Sequence, residues 1–158
     1  MDPFLFDQLT FVRGQTLKAM EGVTEELADR IPDGFRNSLR WQLGHVYVVL
    51  ERFAFQYIGL PLYRPDGFKE LFEYGTSPAA WPETVRVPTL AELEVLLREQ
   101  PGRIREALEH RLKERIEPPY TTSTGVTLAA PEQFISFGLY HEGMHQSVVK
   151  LYKTLLNR

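Results

Sequence analysis

The 158-residue chain contains no cysteine. That single absence excludes a disulfide framework, cysteine-ligated zinc, iron–sulfur clusters and a cysteine nucleophile. It also fits a reducing cytoplasm, where the protein is expected to reside. Long apolar runs are missing too. The longest, Val46–Leu50, is far below the roughly 20 residues needed to cross a bilayer, so no membrane association is expected. The first residues, Met1-Asp2-Pro3-Phe4, carry neither a basic stretch nor a cleavage site of small residues, and no signal peptide is read there. Lys and Arg are scattered without a basic block, and the formal net charge is −3. A nucleic-acid partner is therefore not expected. There is no internal repeat and no low-complexity segment.

What remains is ordinary for a globular protein: 43% hydrophobic and 25% charged residues. The length predicts one domain over residues 1–158, large enough to fold on its own core. Helical periodicity dominates it. Asp2-Pro3 offers a helix start, and Leu5, Leu9, Val12, Thr16, Met20, Val23 and Leu27 follow at steps of three and four. The turn residues Ile31-Pro32-Asp33-Gly34 end that helix. A second helix, apolar nearly all round, is predicted over Leu39–Ile58, capped by Asn37 or Ser38. Residues 59–88 hold five prolines and three glycines and form a long crossover with one short helix near Phe68–Tyr74. Thr89-Leu90-Ala91-Glu92 is a capping box that opens a third helix. Its stripe (Leu90, Leu93, Leu97, Ile104, Leu108, Leu112) keeps phase across Pro101-Gly102, so a kinked helix is expected there. Residues 118–130 read as a loop. Pro131 opens a fourth helix with Phe134, Gly138, His141, His145, Val148, Tyr152 and Leu155 facing inward. Four long helices without a clear strand predict an all-α fold, a helical bundle.

Histidine is scarce, with four residues in the chain. Spacing puts His141 and His145 on one face of one helix, about 6 Å apart along its axis. Two neutral imidazoles buried side by side need hydrogen-bond partners or a cation, and a divalent metal satisfies both at about 2.0–2.1 Å per nitrogen. His45, in the most apolar helix, is the candidate third ligand. Each histidine taken singly also reads as a core residue bonded to a carbonyl or a tyrosine. His110, between Glu109 and Arg111, reads as a surface residue.

His141-Glu142-Gly143-Met144-His145 literally matches the H-E-x-x-H helix of zinc proteases. The context does not follow: Val148 and Leu151 stand where metzincins place Gly and His, and the stretch after His145 is short for a further ligand helix. A di-iron site needs two Glu-x-x-His pairs; Glu142-x-x-His145 is one, but Gln42 stands where the second glutamate belongs. Glu142 is left as either a solvated carboxylate beside the buried face or a proton acceptor near the metal.

The segment Gly34-Phe35-Arg36-Asn37-Ser38-Leu39-Arg40-Trp41-Gln42-Leu43-Gly44-His45, the Pro-rich crossover and His141-x-x-x-His145 together resemble the DinB/YfiT-like superfamily of metal-dependent enzymes, over nearly the whole chain. The resemblance implies a four-helix bundle of up-down-down-up order, often a homodimer. It also implies one divalent transition metal (zinc, nickel or iron) held by His45, His141 and His145. Better-understood relatives are thiol S-transferases that join a low-molecular-weight thiol, such as bacillithiol or mycothiol, to an electrophile; others isomerise thiol adducts. The expected function is therefore metal-dependent thiol transfer, with an electrophilic co-substrate. Gln42, Trp41, Tyr140 and the crossover are candidate substrate contacts. The alternatives are a hydrolase using the same site and a non-catalytic metal-binding bundle.

Overall fold

The computed structural model describes residues 4–157, so the proposed Asp2-Pro3 start lies outside the described residues. The chain is mainly helical. Helix α1 spans Phe4–Met20, α2 Glu25–Asp29, α3 Leu39–Glu51, α4 Phe68–Phe72, α5 Leu90–Leu108 and α6 Pro131–Leu156. Strands β1 (Tyr120–Thr121) and β2 (Thr127–Leu128) pair antiparallel in a small hairpin, where only a loop was expected.

Three boundaries differ from the sequence reading, each for a local reason. The first helix does not run through to Leu27. Gly22, at φ +76°, takes a left-handed turn that ends α1. The Thr24 hydroxyl then accepts the Leu27 N–H at 3.1 Å and starts α2 afresh. The second helix is α-helical only to Glu51, and a wider π turn over Arg52–Gln56 follows it, closed by the Tyr57 N–H on the Arg52 carbonyl at 3.0 Å. The third helix runs continuously through Pro101 and ends at Leu108.

All 13 residues of α3 are buried, which explains why its sequence is apolar all round and tolerates β-branched residues. Ser38 caps it, accepting the Trp41 N–H at 3.2 Å. Helix α3 packs against α6, α5, α4 and α2, while α1 packs against α6 and α5. Each large apolar side chain taken from water here contributes about 1.5–3 kcal/mol. The Thr89/Glu92 capping box forms as expected, with Thr89 N–H on Glu92 Oε2 at 2.8 Å and Glu92 N–H on Thr89 Oγ1 at 3.2 Å.

The apolar core consists of two clusters. One gathers the N-terminal parts of α3 and α5 with α4 and the end of α6; the other gathers the start of α1, the π turn, the end of α5 and the start of α6. On α1, α5 and α6 the residues between these clusters are polar and buried: Arg13, Thr16, Gln100 and Glu142. Arg13 donates to both oxygens of Glu142, through Nε at 2.8 Å and Nη2 at 3.0 Å. It also donates to Gln100 Oε1 at 2.9 Å. Its Nη1 donates to the Leu97 carbonyl at 2.5 Å. That carbonyl is free because Pro101, four residues on, has no N–H to give it. Gln100 continues the chain of bonds to Glu51 Oε2 at 2.8 Å, and Arg103 closes on the same carboxylate at 2.7 Å. Two charges of each sign lie along this belt, so it is neutral as a unit.

Candidate metal centre

His45 lies midway along α3 and is 3% exposed. His141 and His145 are half-buried on the α6 flank that faces α3. Sequence periodicity had set these two on the innermost line of α6. The structure puts Glu142 there instead, 1% exposed and turned toward α1. Helix α6 lies against both α1 and α3, so it buries two flanks rather than one stripe. Glu142 serves the first contact and the histidines the second.

The three imidazoles converge. Their candidate ligand nitrogens all lie within 4.8 Å of one another. Ring centroids are 4.4 Å apart for His141 and His145, 4.8 Å for His45 and His145, and 5.1 Å for His45 and His141. The outer nitrogens are engaged. His45 Nδ1 is 2.6 Å from the Phe72 carbonyl, which only accepts, so Nδ1 carries the proton and Nε2 the lone pair. His145 Nδ1 stands 2.5 Å from Gln42 Oε1. Burial raises the Tyr152 pKa, and a hydrogen bond between Gln42 and the Tyr152 hydroxyl works against that rise, as a donor would, so the Gln42 amide nitrogen faces Tyr152 and its oxygen faces His145. His145 therefore donates from Nδ1 and keeps its lone pair on Nε2. That Nε2 is 3.1 Å from His141 Nε2. Two nitrogens bound to one ion at about 2.0–2.1 Å stand about 3 Å apart, so the spacing fits a shared cation.

The protonation states fit as well. Burial pushes His45 and His145 down to about 4 and His141 to about 2. The neighbouring imidazole of His145 lowers His45 and His141 further, and the Arg52 guanidinium adds to this at both. At neutral pH all three rings are uncharged, the state that ligation requires.

Trp41, one turn before His45 on α3, stacks on its ring with centroids 4.4 Å apart and planes 14° from parallel. Its indole N–H donates to Thr76 Oγ1 at 2.8 Å. Gly44 is what lets α4 come this close: a Cβ there would collide with the Phe72 ring. The same residue, Phe72, offers its carbonyl to His45. The crossover thus builds one wall of the centre through Phe72 and Thr76, contributions invisible in a reading by residue type.

The other sequence candidates fall elsewhere. Glu142 is not solvated, because both its oxygens are bound by Arg13 and Oε1 also accepts from Thr16 at 2.8 Å. Tyr140 is 61% exposed and lines a separate groove of about 710 Å³ with Phe4, Leu5, Phe137 and the hairpin. His110 is exposed at the surface, as expected. Sequence reasoning passed over Arg52 and Glu73, whose side chains pair at 2.6 Å beside the histidines. Arg52 follows His45 by seven residues, two helical turns, and that spacing was the available signal.

A helical protein with three converging neutral imidazoles defines the class: a protein with a candidate metal centre between two helices. A family model described as the DinB superfamily matches residues 8–149, and the chain belongs to that superfamily. No curated protein matches the chain. Among the described residues no helix is long and apolar enough to cross a membrane.

Proposed function

We propose that this chain is a metal-dependent thiol S-transferase of one domain, an up-down-down-up four-helix bundle working in the cytoplasm. The pairwise packing of α1 on α5 and α6, and of α3 on α5 and α6, supports a bundle of four long helices. The observation that carries the function is the convergence of three imidazoles from two separate helices, with the histidines of α6 half-exposed. His45, His141 and His145 would hold one divalent ion, zinc, nickel or iron, since imidazole suits all three. Three protein ligands leave room for a substrate, the catalytic rather than the structural pattern. When bound, such an ion supplies Lewis-acid chemistry that favours thiolate over thiol near neutral pH.

The protein's own groups supply position. Phe72 and Gln42 hold the outer nitrogens of His45 and His145, so each ring keeps one tautomer and one orientation. Trp41 covers one face of His45 and keeps water from it. A low-molecular-weight thiol and an electrophile would approach from the half-buried side of His141 and His145, with Gln42 and Trp41 as candidate contacts. Tyr140 reaches a guest only if that guest extends into the outer groove. Glu142 acts by holding α6 on α1. A hydrolase at the same site would need a proton acceptor, and Glu142 has both oxygens already held by Arg13.

Elemental analysis of untagged protein tests the first step. About one transition-metal ion per chain is expected, with loss in His45→Ala. His145→Ala should abolish thiol transfer and leave the helical fold intact. If it instead leaves turnover unchanged and only lowers the melting temperature, the metal is structural and the catalytic reading fails.

A further inference from the structure

Arg52 opens the π turn at the end of α3, and its side chain lies on the same side of α3 as His45. Its charge is felt at both His45 and His141. The guanidinium is fixed on three sides. Nη1 donates to Glu73 Oε2 at 2.6 Å. The Phe53 and Tyr57 rings lie under its carbon at 5.7 and 5.8 Å from their centroids. Tyr57 is itself stacked on Tyr120 at 4.2 Å. Yet Nε, although buried, has no hydrogen-bond partner, and neither has Glu73 Oε1. The ion pair is therefore not closed on itself. Buried donors are normally satisfied, and one left open beside a candidate reaction centre calls for an acceptor.

The free donors define the shape of that acceptor. Nε and Nη2 form one edge of the guanidinium fork, the edge that Glu73 leaves empty. Two parallel N–H groups on one edge match the two oxygens of a carboxylate. With a divalent ion on three neutral histidines, the Arg52–Glu73 pair adds no net charge, so the whole site is positive and favours an anionic guest. The rings hold the fork in place before the guest arrives, which lowers the entropy lost on binding.

We propose that Arg52 is the specificity-determining residue of this site, and that its Nε/Nη2 edge binds the carboxylate of a carboxylate-bearing thiol. The inference rests on the thiol-transfer reading for the word thiol. The carboxylate site itself stands on Arg52 and can be tested without metal. Glu73 and the two rings position the guanidinium.

The test follows the Arg52 Nε–H resonance by nitrogen-15 NMR, assigned through its contacts with the Phe53 and Tyr57 rings. The probes are 3-mercaptopropionate and 2-mercaptoethanol, thiols of similar size with and without a carboxylate. Titrations use both the metal-free and the zinc-loaded protein. The resonance is expected to shift saturably with 3-mercaptopropionate in both forms and to stay in place with 2-mercaptoethanol. Calorimetry on the zinc-loaded protein should show 3-mercaptopropionate at least about tenfold tighter than 2-mercaptoethanol. Arg52→Lys, which keeps the charge but loses the fork, should remove that advantage and leave 2-mercaptoethanol binding unchanged. An unmoved Nε–H resonance at saturating carboxylate overturns the proposal, as does an Arg52→Lys protein with the full preference. Zinc content of the same samples judges the metal centre separately: protein that takes no zinc but shows the carboxylate shift loses the thiol-transfer reading and keeps the Arg52 site.

Discussion

At the scale of single residues, the pKa values make the metal centre sensitive to acid. His45 and His145 titrate near 4 and His141 near 2, all below the ordinary 6.5. Burial is the leading cause for each. In a metal-free sample the unfolded chain takes up protons below about 6.5 while the folded chain does not. Stability is therefore full above that pH and falls as pH drops from about 6.5 toward 4, with a further decline toward 2 from His141. Melting curves of metal-free protein across this range should show the decline, and His141→Gln should make it shallower and remove the further fall toward pH 2. A melting temperature that stays level between pH 6.5 and 4 would contradict the burial of neutral imidazoles. The Arg13–Glu142 pair is buried as well, each side chain only 2% exposed. Removing one partner strands a buried charge. Arg13→Met is expected to cost about 3–5 kcal/mol in urea unfolding, and Arg13→Met with Glu142→Leu to cost clearly less.

At the scale of elements, the centre depends on how closely α4 lies on α3. Gly44 permits that approach, and α4 presents the Phe72 carbonyl to His45. Gly44→Ala forces the Phe72 ring aside. The expected result is a loss of about 1–3 kcal/mol from overpacking, read as a melting temperature lower by several degrees. Metal affinity should fall with it, by about 10–100-fold, because the orientation of His45 is lost. Calorimetric zinc titration separates the two effects, since a merely destabilised but correctly oriented centre would keep its affinity at 25 °C. Helix α5 shows the reverse case, in which a missing bond is used. Pro101 leaves the Leu97 carbonyl open, and Arg13 from α1 takes it. A residue that reads as a helix interruption thus ties two helices together and leaves α5 continuous.

At the scale of the whole molecule, binding and folding are linked. An ion held by α3 and α6 together joins segments nearly a hundred residues apart in sequence, so it binds the folded chain and not the unfolded one. At a free zinc concentration of 100 times Kd, the gain is about 2.7 kcal/mol. Zinc should raise the melting temperature of the wild-type protein by several degrees and leave His45→Ala unmoved. An equal rise in both would place the ion somewhere other than the three histidines.

The sequence alone carried the helical class, most element positions and the three histidines. These are local properties: periodicity, caps and turn residues act within a few positions, and a scarce ligating residue at helical spacing is visible without coordinates. Its stripe on α6 was nonetheless read one step out of place, because periodicity shows that a face is buried but not which neighbour buries it. Glu142 was therefore left between a solvated carboxylate and a proton acceptor near the metal, when Arg13 of α1 was waiting for it 129 positions away. Likewise the carbonyl that orients His45, and the open donor edge of Arg52, arise where the crossover folds back on α3. Such pairings depend on which surfaces meet in three dimensions, and only the tertiary structure decided them.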